Sequence, residues 1–235
     1  AASPDMFKRL ELLKQLPQPL LDYPHRILEK QLYGVDIDSE AAEIAAVNLT
    51  MQAFTDARQE KLPLILNENI KIGNALISGS EQELRHYFDE TWKEKRPFNW
   101  EDEFPEIMKD GGFDIVVGNP PWVSLKGKYK SLDLSEQELQ YLFDKFNVNT
   151  YAPNLYEIFI WRSLGLLKEG GLFSFIVPDR LAENQQFLRL RECILSNFTI
   201  ERLFFRVPFP GTIADTMVFV IRKTKRKDNS IEVSD

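Results

Sequence analysis

Asn119-Pro120-Pro121-Trp122 closes an apolar run from Phe113 to Gly118, and these four residues carry the sharpest chemistry in the sequence. Two prolines remove two backbone donors, and the residue before each is pushed away from helical geometry. The stretch is therefore stiff and extended, with Pro121 completing the rigid frame, and it can hold oxygen acceptors still. An exocyclic amine on an aromatic base is a poor nucleophile because its lone pair is delocalised into the ring. The Asn119 side-chain oxygen and the Pro120 carbonyl, each drawing on one N–H bond, would favour a pyramidal nitrogen and free that pair for an electrophile. This is electrostatic preorganisation, not acid–base catalysis at the outset. Trp122 offers a face on which a base flipped from a duplex can stack, worth about 1–3 kcal/mol by analogy with single-strand binders. The bland alternative is a proline-stiffened loop with a buried indole.

A strand that ends this way belongs in an α/β sheet, where ligands sit beyond the carboxyl ends of the strands. The other strand ends are then candidates too. "QLYGVDID" (31 to 38) ends in Asp36, Ile37 and Asp38. Asp36 is placed to accept from ribose hydroxyls and Ile37 to pack on an adenine face, although an aspartate here can equally start the helix that follows. Asp38 is read as that helix cap. "NIKIGNALI" (69 to 77) turns at Gly73-Asn74, where Asn74 can accept from an adenine amino group and Ala75 can give a backbone donor. The same pair also makes an ordinary turn. A further strand, "LFSFIVP", closes on Pro178 and Asp179.

The elements that position these ends follow from hydrophobic spacing. Helices are expected over 6 to 16, over "SEAAEIAAVNLTMQAF" (39 to 54) and over the polar "EQELRHYFDETWKEK" (81 to 95). A connector rich in aromatics and acids, "RPFNWEDEFPEIMKDGG", leads into "FDIVVG". A loop from 123 to 153 carries a helical stretch around "SEQELQYLFDKF". "NLYEIFIWRSLGLLK" is an apolar helix expected to stop at Gly170-Gly171. A helix over 184 to 197 precedes strands "IERLFF" and "DTMVFVI", which lack an intervening helix and should pair antiparallel. Helices alternating with apolar strands predict an α/β domain whose mostly parallel sheet is buried on both faces, closed by an antiparallel edge strand.

The 235 residues suffice for one large domain, and 43% hydrophobic with 28% charged residues is an ordinary globular balance. A net charge of -7 argues against a free-standing nucleic-acid binder. Cys193 is the single cysteine, which removes a disulfide framework and suits a reducing cytoplasm. It lies mid-helix without a neighbouring base, which disfavours cytosine C5 chemistry. His25 and His86 are isolated, so no metal is expected. No apolar run approaches the length of a membrane span.

"YGVDID", "IGNAL", "FDIVVGNPPWV", "NLYEIFIWRSLGLLKEGGLFSFIVP" and "VPFPGTIADTMVFVI" fall in the order seen in N6-adenine DNA methyltransferases. The sequence resembles their gamma motif order, in which target recognition follows catalysis. The connector resembles that of the type IIG enzymes that fuse restriction and modification in one polypeptide. The resemblance runs from about Gln31 to Arg222. It implies a Rossmann-like methyltransferase sheet and a methyl transfer from S-adenosyl-L-methionine to adenine in double-stranded DNA.

It also implies that Asn119, Pro120 and Trp122 hold the target adenine, that Asp36 binds the cofactor ribose and that position 74 meets its adenine. The family usually has Asp at that position, so Asn74 is a departure. Phe209 falls where the family places an aromatic against the flipped base; a hairpin core residue is the other reading. By the resemblance, the glycine-rich cofactor loop and the first strand are missing before residue 1, and the recognition region is missing after residue 235. Residues 1–223 are then a truncated catalytic domain and 224–235 a linker. DNA would be gripped through the intact parent protein, with "KGKYK" (126 to 130) near phosphate or simply a solvated loop tip. Two alternatives stay open: methylation of a protein glutamine N5, and a fragment inactive by itself.

Overall fold

The computed structural model describes residues 23–53, 64–126, 132, 134–148, 151–209, 211, 214–224 and 232–234. The helix expected over 6 to 16 lies outside them. The chain divides into two compact units, residues 1–75 and 76–235.

In the first unit, α1 (Tyr23–Lys30), β1 (Gly34–Asp36), α2 (Ser39–Ala53) and β2 (Ile70–Ile72) follow in order. β1 and β2 pair in parallel, with Gly34 opposite Ile70 and Asp36 opposite Ile72. Both strands are shorter than their apolar runs. An aspartate turn ends β1, where the Asp36 carboxylate accepts from the Asp38 amide at 2.9 Å. Ala42, Ala46 and Ala53 form the buried side of α2, and their small size lets the helix sit close over Leu28, Ile65 and Ile70. The buried Asn69 amide donates to the carbonyls of Leu28, Glu29 and Leu32 at 3.1, 2.9 and 3.1 Å. It thereby satisfies acceptors that the end of α1 would leave orphaned.

In the second unit, α3 (Glu81–Phe88) is capped by Ser80. The helix expected to reach 95 tightens after Asp89, whose φ of 47° breaks the α pattern, into a 3₁₀ stretch over Asp89–Lys95. The connector folds as two short helical turns, Trp100–Glu103 and Pro105–Lys109. They gather Phe98, Trp100, Phe104 and Phe113 into edge-on and tilted ring contacts. Then come β3 (Phe113–Gly118), α4 (Glu136–Lys145), α5 (Leu155–Leu166), β4 (Leu167–Pro178), α6 (Leu188–Asn197), β5 (Thr199–Phe205), β6 (Thr216–Arg222) and β7 (Glu232–Ser234).

The sheet order is β3-β4-β6-β5-β7. β3 and β4 are parallel, β5 and β7 are parallel, and β6 runs antiparallel to both β4 and β5. This is the expected α/β class, a mostly parallel sheet with one antiparallel strand. β6 enters between β4 and β5, so the antiparallel strand expected at an edge lies inside the sheet, and Glu232–Ser234, in the tail expected to be a linker, pairs alongside β5 as the edge strand. α5 is apolar all round because two cores meet on it. Tyr156, Ile160 and Leu164 join the cluster of β4, β6 and α6. Leu155 and Ile158 join Leu84, Phe88, Tyr141 and Leu142.

Two further expectations are corrected. Gly170-Gly171 do not end a helix: α5 stops at Leu166 and both glycines lie inside β4. The pairing jumps from Phe113 opposite Leu167 to Ile115 opposite Leu172, so the glycines lie in an irregular bulge where the register shifts. A Cβ on Gly171 would come within 2.9 Å of the Lys168 carbonyl oxygen, and Gly170 takes a φ of 79°. A glycine pair reads alike as a helix stop and as a bulge. The second correction concerns β3, expected to be buried on both faces. Ile115 and Val117 are 60% and 72% exposed, and β3 pairs only with β4 among the described residues.

Candidate active site

The first unit brings four candidates to one sheet end. The Gly73 amide donates to the Asp36 carbonyl at 2.8 Å, which carries the parallel ladder one step past β2, directly before Asn74 and Ala75. Asp36 is exposed. Its Oδ1 accepts from the Asp38 amide, and its Oδ2 has no hydrogen bond among the described residues. One carboxylate oxygen therefore shapes the turn, and the other is not spent on a hydrogen bond among the described residues. Ile37 is 52% exposed, an apolar surface next to that acid. Asp38 caps α2 as expected: its Oδ1 accepts from the Glu40 amide at 3.0 Å and its carbonyl from the Ala42 amide at 3.0 Å.

In the second unit, β3 delivers the Asn-Pro-Pro-Trp stretch to the carboxyl end of its sheet. Gly118 is required by the neighbouring strand, since a Cβ there would lie 2.8 Å from the Phe175 ring. Beyond it, Asn119 is exposed, Pro120 buried, Pro121 exposed and Trp122 half-buried. Neither Asn119 nor Pro120 spends its side-chain or carbonyl oxygen on a hydrogen bond among the described residues. Backbone pairing then fastens the loop to the start of α5. The Leu155 amide donates to the Val123 carbonyl at 2.8 Å and the Leu125 amide to the Pro153 carbonyl at 3.0 Å. Ser124 and Asn154 form an antiparallel bridge between these two bonds. The Asn154 side chain in turn accepts from the Tyr156 amide at 3.4 Å, capping α5.

Phe209 reaches Trp122, with ring centroids 5.2 Å apart and planes tilted by 46°. The rings touch, so no base fits between them as they stand. The indole N–H is buried without a hydrogen-bond partner among the described residues. Phe209 lies on the loop between β5 and β6, closed by the Val207 amide donating to the Thr216 carbonyl at 3.2 Å. Of "KGKYK", Lys126 is exposed with its ammonium 4.6 Å from the Phe143 ring centre; residues 127 to 130 lie outside the described ones.

Three residues near these ends were not singled out by sequence reasoning. Asn154 gave a visible signal, an Asn before an apolar helix. Tyr156 packs its ring on Phe187 at 5.3 Å, and burial, followed by the charge of Glu157, pushes its phenol well above the usual range. Arg162 sits inside the second unit, and burial lowers its guanidinium from its ordinary value. A charged residue in an apolar helix is a visible oddity, but its partners are far away in sequence.

The described elements form an α/β domain whose sheet has one reversed strand and presents the amide–diproline–indole turn at a strand end. Residues 30–206 match the model of the Eco57I restriction-modification methylase family, and the chain belongs to that family. It is 27% identical to the Type II restriction enzyme and methyltransferase RM.Eco57I of Escherichia coli, over 75% of this chain and 17% of that protein. It is 32% identical to the Type II methyltransferase M.BstVI of Geobacillus stearothermophilus, over 56% of this chain and 22% of that one. The fold is shared with a nuclease-deletion mutant of the Type ISP restriction-modification enzyme LlaGI, solved with a DNA substrate mimic. That match has a TM-score of 0.65 and 13% identity, over 97% of this chain and 20% of that one. The chain spans between 11% and 29% of the length of these and the other curated relatives compared with it. Among the described residues, no helix is long and apolar enough to cross a membrane.

Proposed function

We propose that this chain carries out methyl transfer from S-adenosyl-L-methionine to the N6 amino group of an adenine flipped out of duplex DNA, within a restriction-modification system. The observation that carries this reading is the state of Asn119 and Pro120. They stand at the end of a sheet strand, fixed by prolines and by the pairing to α5, with their two oxygens unspent. An amino group has two N–H bonds, and this turn has two acceptors. The Asn119 Oδ1 and the Pro120 carbonyl accept one bond each, pull the nitrogen toward a pyramidal geometry and leave its lone pair directed away from the ring. Trp122 supports the face of the base, and Phe209 closes on its other side once the β5–β6 loop shifts from its contact with the indole.

The residues at the β1–β2 end fit the proposed cofactor. Asp36 Oδ2 is an acceptor for a ribose diol, Ile37 an exposed apolar face for an adenine, and Asn74 and Ala75 follow directly on Gly73, which bonds Asp36. S-adenosyl-L-methionine supplies an electrophilic methyl group when bound. Residues 1–223 act as the catalytic domain in this reading.

Assays of the full-length protein test the proposal. Asn119→Ala should lower methyl transfer to DNA by at least about a hundredfold, the scale of losing one preorganised electrostatic contact, while S-adenosyl-L-methionine titrates nearly as in the wild type. Retained turnover removes Asn119 from the mechanism. Transfer to a protein glutamine with none to DNA would replace the substrate.

A further inference from the structure

We propose that Arg162 is a positioning residue that holds the segment after Asn74 and Ala75 against α5, and so sets the cofactor-side residues for the reaction proposed above. Arg162 Nη2 donates to the Leu76 carbonyl at 3.1 Å and to Ser78 Oγ at 2.9 Å. The guanidinium lies 5.2 Å from the Phe146 ring centre, and its Nε is buried without a hydrogen-bond partner among the described residues. A buried cation that leaves one N–H unsatisfied is an expensive way to stabilise a core. The cost falls at one place: Leu76 and Ser78, within three residues of the pair proposed to face the cofactor adenine.

The same short segment is gripped from other directions. The Tyr141 hydroxyl accepts from the Ser78 amide at 2.9 Å and donates to the Ser78 carbonyl at 2.6 Å. The Asn99 amide accepts from the Gly79 amide at 2.8 Å and donates to the Gly79 carbonyl at 3.3 Å. The Phe98 amide donates to the Ile77 carbonyl at 2.7 Å. Tyr141 belongs to α4, inside the long segment between the Asn-Pro-Pro-Trp loop and α5.

α5 thus does two jobs with one rod. Its first residue, Leu155, donates to the Val123 carbonyl behind the Asn-Pro-Pro-Trp loop, and Arg162, two turns on, holds Leu76 and Ser78. The two attachments are about 10 Å apart along the axis. A helix buried on nearly all sides cannot change that spacing, so the base-side loop and the Leu76–Ser78 segment are held in register.

The inference rests on the proposed cofactor site, and the experiment separates the two. Hydrogen exchange and S-adenosyl-L-methionine titration are run on full-length wild type, Arg162→Met, Arg162→Lys and Ser78→Ala. Met keeps the apolar stem, and Lys can restore a single charge-assisted bond. Arg162→Met should speed exchange over residues 73–79 while protection of β4 and β6 stays unchanged. It should also weaken cofactor affinity about tenfold, the scale of one or two lost charge-assisted hydrogen bonds. Arg162→Lys should recover part of both effects, and Ser78→Ala should show a smaller loss of the same sign. Unchanged exchange over 73–79 overturns the proposal. Faster exchange with unchanged affinity overturns its functional half. If Arg162→Met fails to fold, Ser78→Ala decides by the same two readouts. A wild type that binds no cofactor refutes the functional reading instead, and the exchange arm still decides whether Arg162 holds the segment.

Discussion

The two strand-end sites are built with unequal rigidity. The β3 end presents Asn119 and Trp122 from a six-residue strand beside a twelve-residue one, over a core that includes the fully buried Phe173, Val177 and Ile221. Prolines and backbone pairing to α5 lock the turn itself. The β1 end presents Asp36 and Ile37 from two three-residue strands backed by alanines. Its shape depends on an aspartate turn and on the Gly73 amide. A two-stranded pairing of this size is marginal in isolation. The difference matches the proposed tasks. Activating an amino nitrogen needs oxygen atoms placed to within a fraction of an ångström. Holding a ribose and an adenine face tolerates a softer frame that ligand binding can itself stabilise.

The largest effect should come from disturbing the rigid end without touching its chemistry. Gly118→Ala would drive a methyl group into the Phe175 ring, at 2.8 Å, and Phe175 is itself buried in the core. Relief requires the strand end to move, carrying Asn119 with it. Turnover on DNA should fall by about a hundredfold, the cost of misplacing a reacting group by an ångström, and folding stability by about 1–3 kcal/mol. Cofactor affinity should hold. Near-normal turnover would mean that the turn tolerates displacement, and the contrast in rigidity would lose its meaning for catalysis.

Sequence patterns reported the rigid end well and the soft end only in outline. "FDIVVG" is the strand the periodicity predicts, and the prolines announce the turn because their constraint is local. Asp38 as a cap and the antiparallel pairing of β5 with β6 were legible for the same reason. The bulge at Gly170-Gly171 was not, because its cause is the crowding of Gly171 by the Lys168 carbonyl of its own strand and the Asp114 carbonyl of the neighbouring β3. Nor was the shortness of β1 and β2, which turns terminate before the apolar runs end. The exposure of Ile115 and Val117 was illegible for a different reason: a strand's sequence records what face it was shaped to bury, not which neighbours flank it. Arg162 and Tyr141 escaped because their partners lie 86 and 63 residues away.

At the soft end, Asp36 tests whether a carboxylate is there to shape a turn or to bind. Asp36→Asn keeps an oxygen for the Asp38 amide, so the turn survives, but it removes the charge and the second acceptor. If Asp36 meets a ribose, titration should show affinity for S-adenosyl-L-methionine lowered by about tenfold, the worth of a charge-assisted hydrogen bond. DNA binding should not move. Affinity equal to wild type would leave Asp36 with the turn alone, and the cofactor would have to be held elsewhere.

The smallest effect belongs to Phe209, where the two ends of the comparison blur. It touches the rigid turn through Trp122, yet it sits on the loop between β5 and β6, tied at its base by Val207 and Thr216. In the structure the two rings occupy each other's faces, so an incoming base must displace one of them. Phe209→Ala therefore has two opposing consequences. It removes a stacking surface for the base, worth about 1–3 kcal/mol in single-strand binders, and it frees the Trp122 face without the need to break a ring contact. Partial cancellation predicts a loss of turnover of only a fewfold, carried mainly in the affinity for DNA and not in the rate at saturation, whereas Asn119→Ala acts on the rate. A Phe209→Ala enzyme with unchanged DNA affinity and lowered thermal stability would mark the ring as hairpin core. The flipped base would then rest on Trp122 alone.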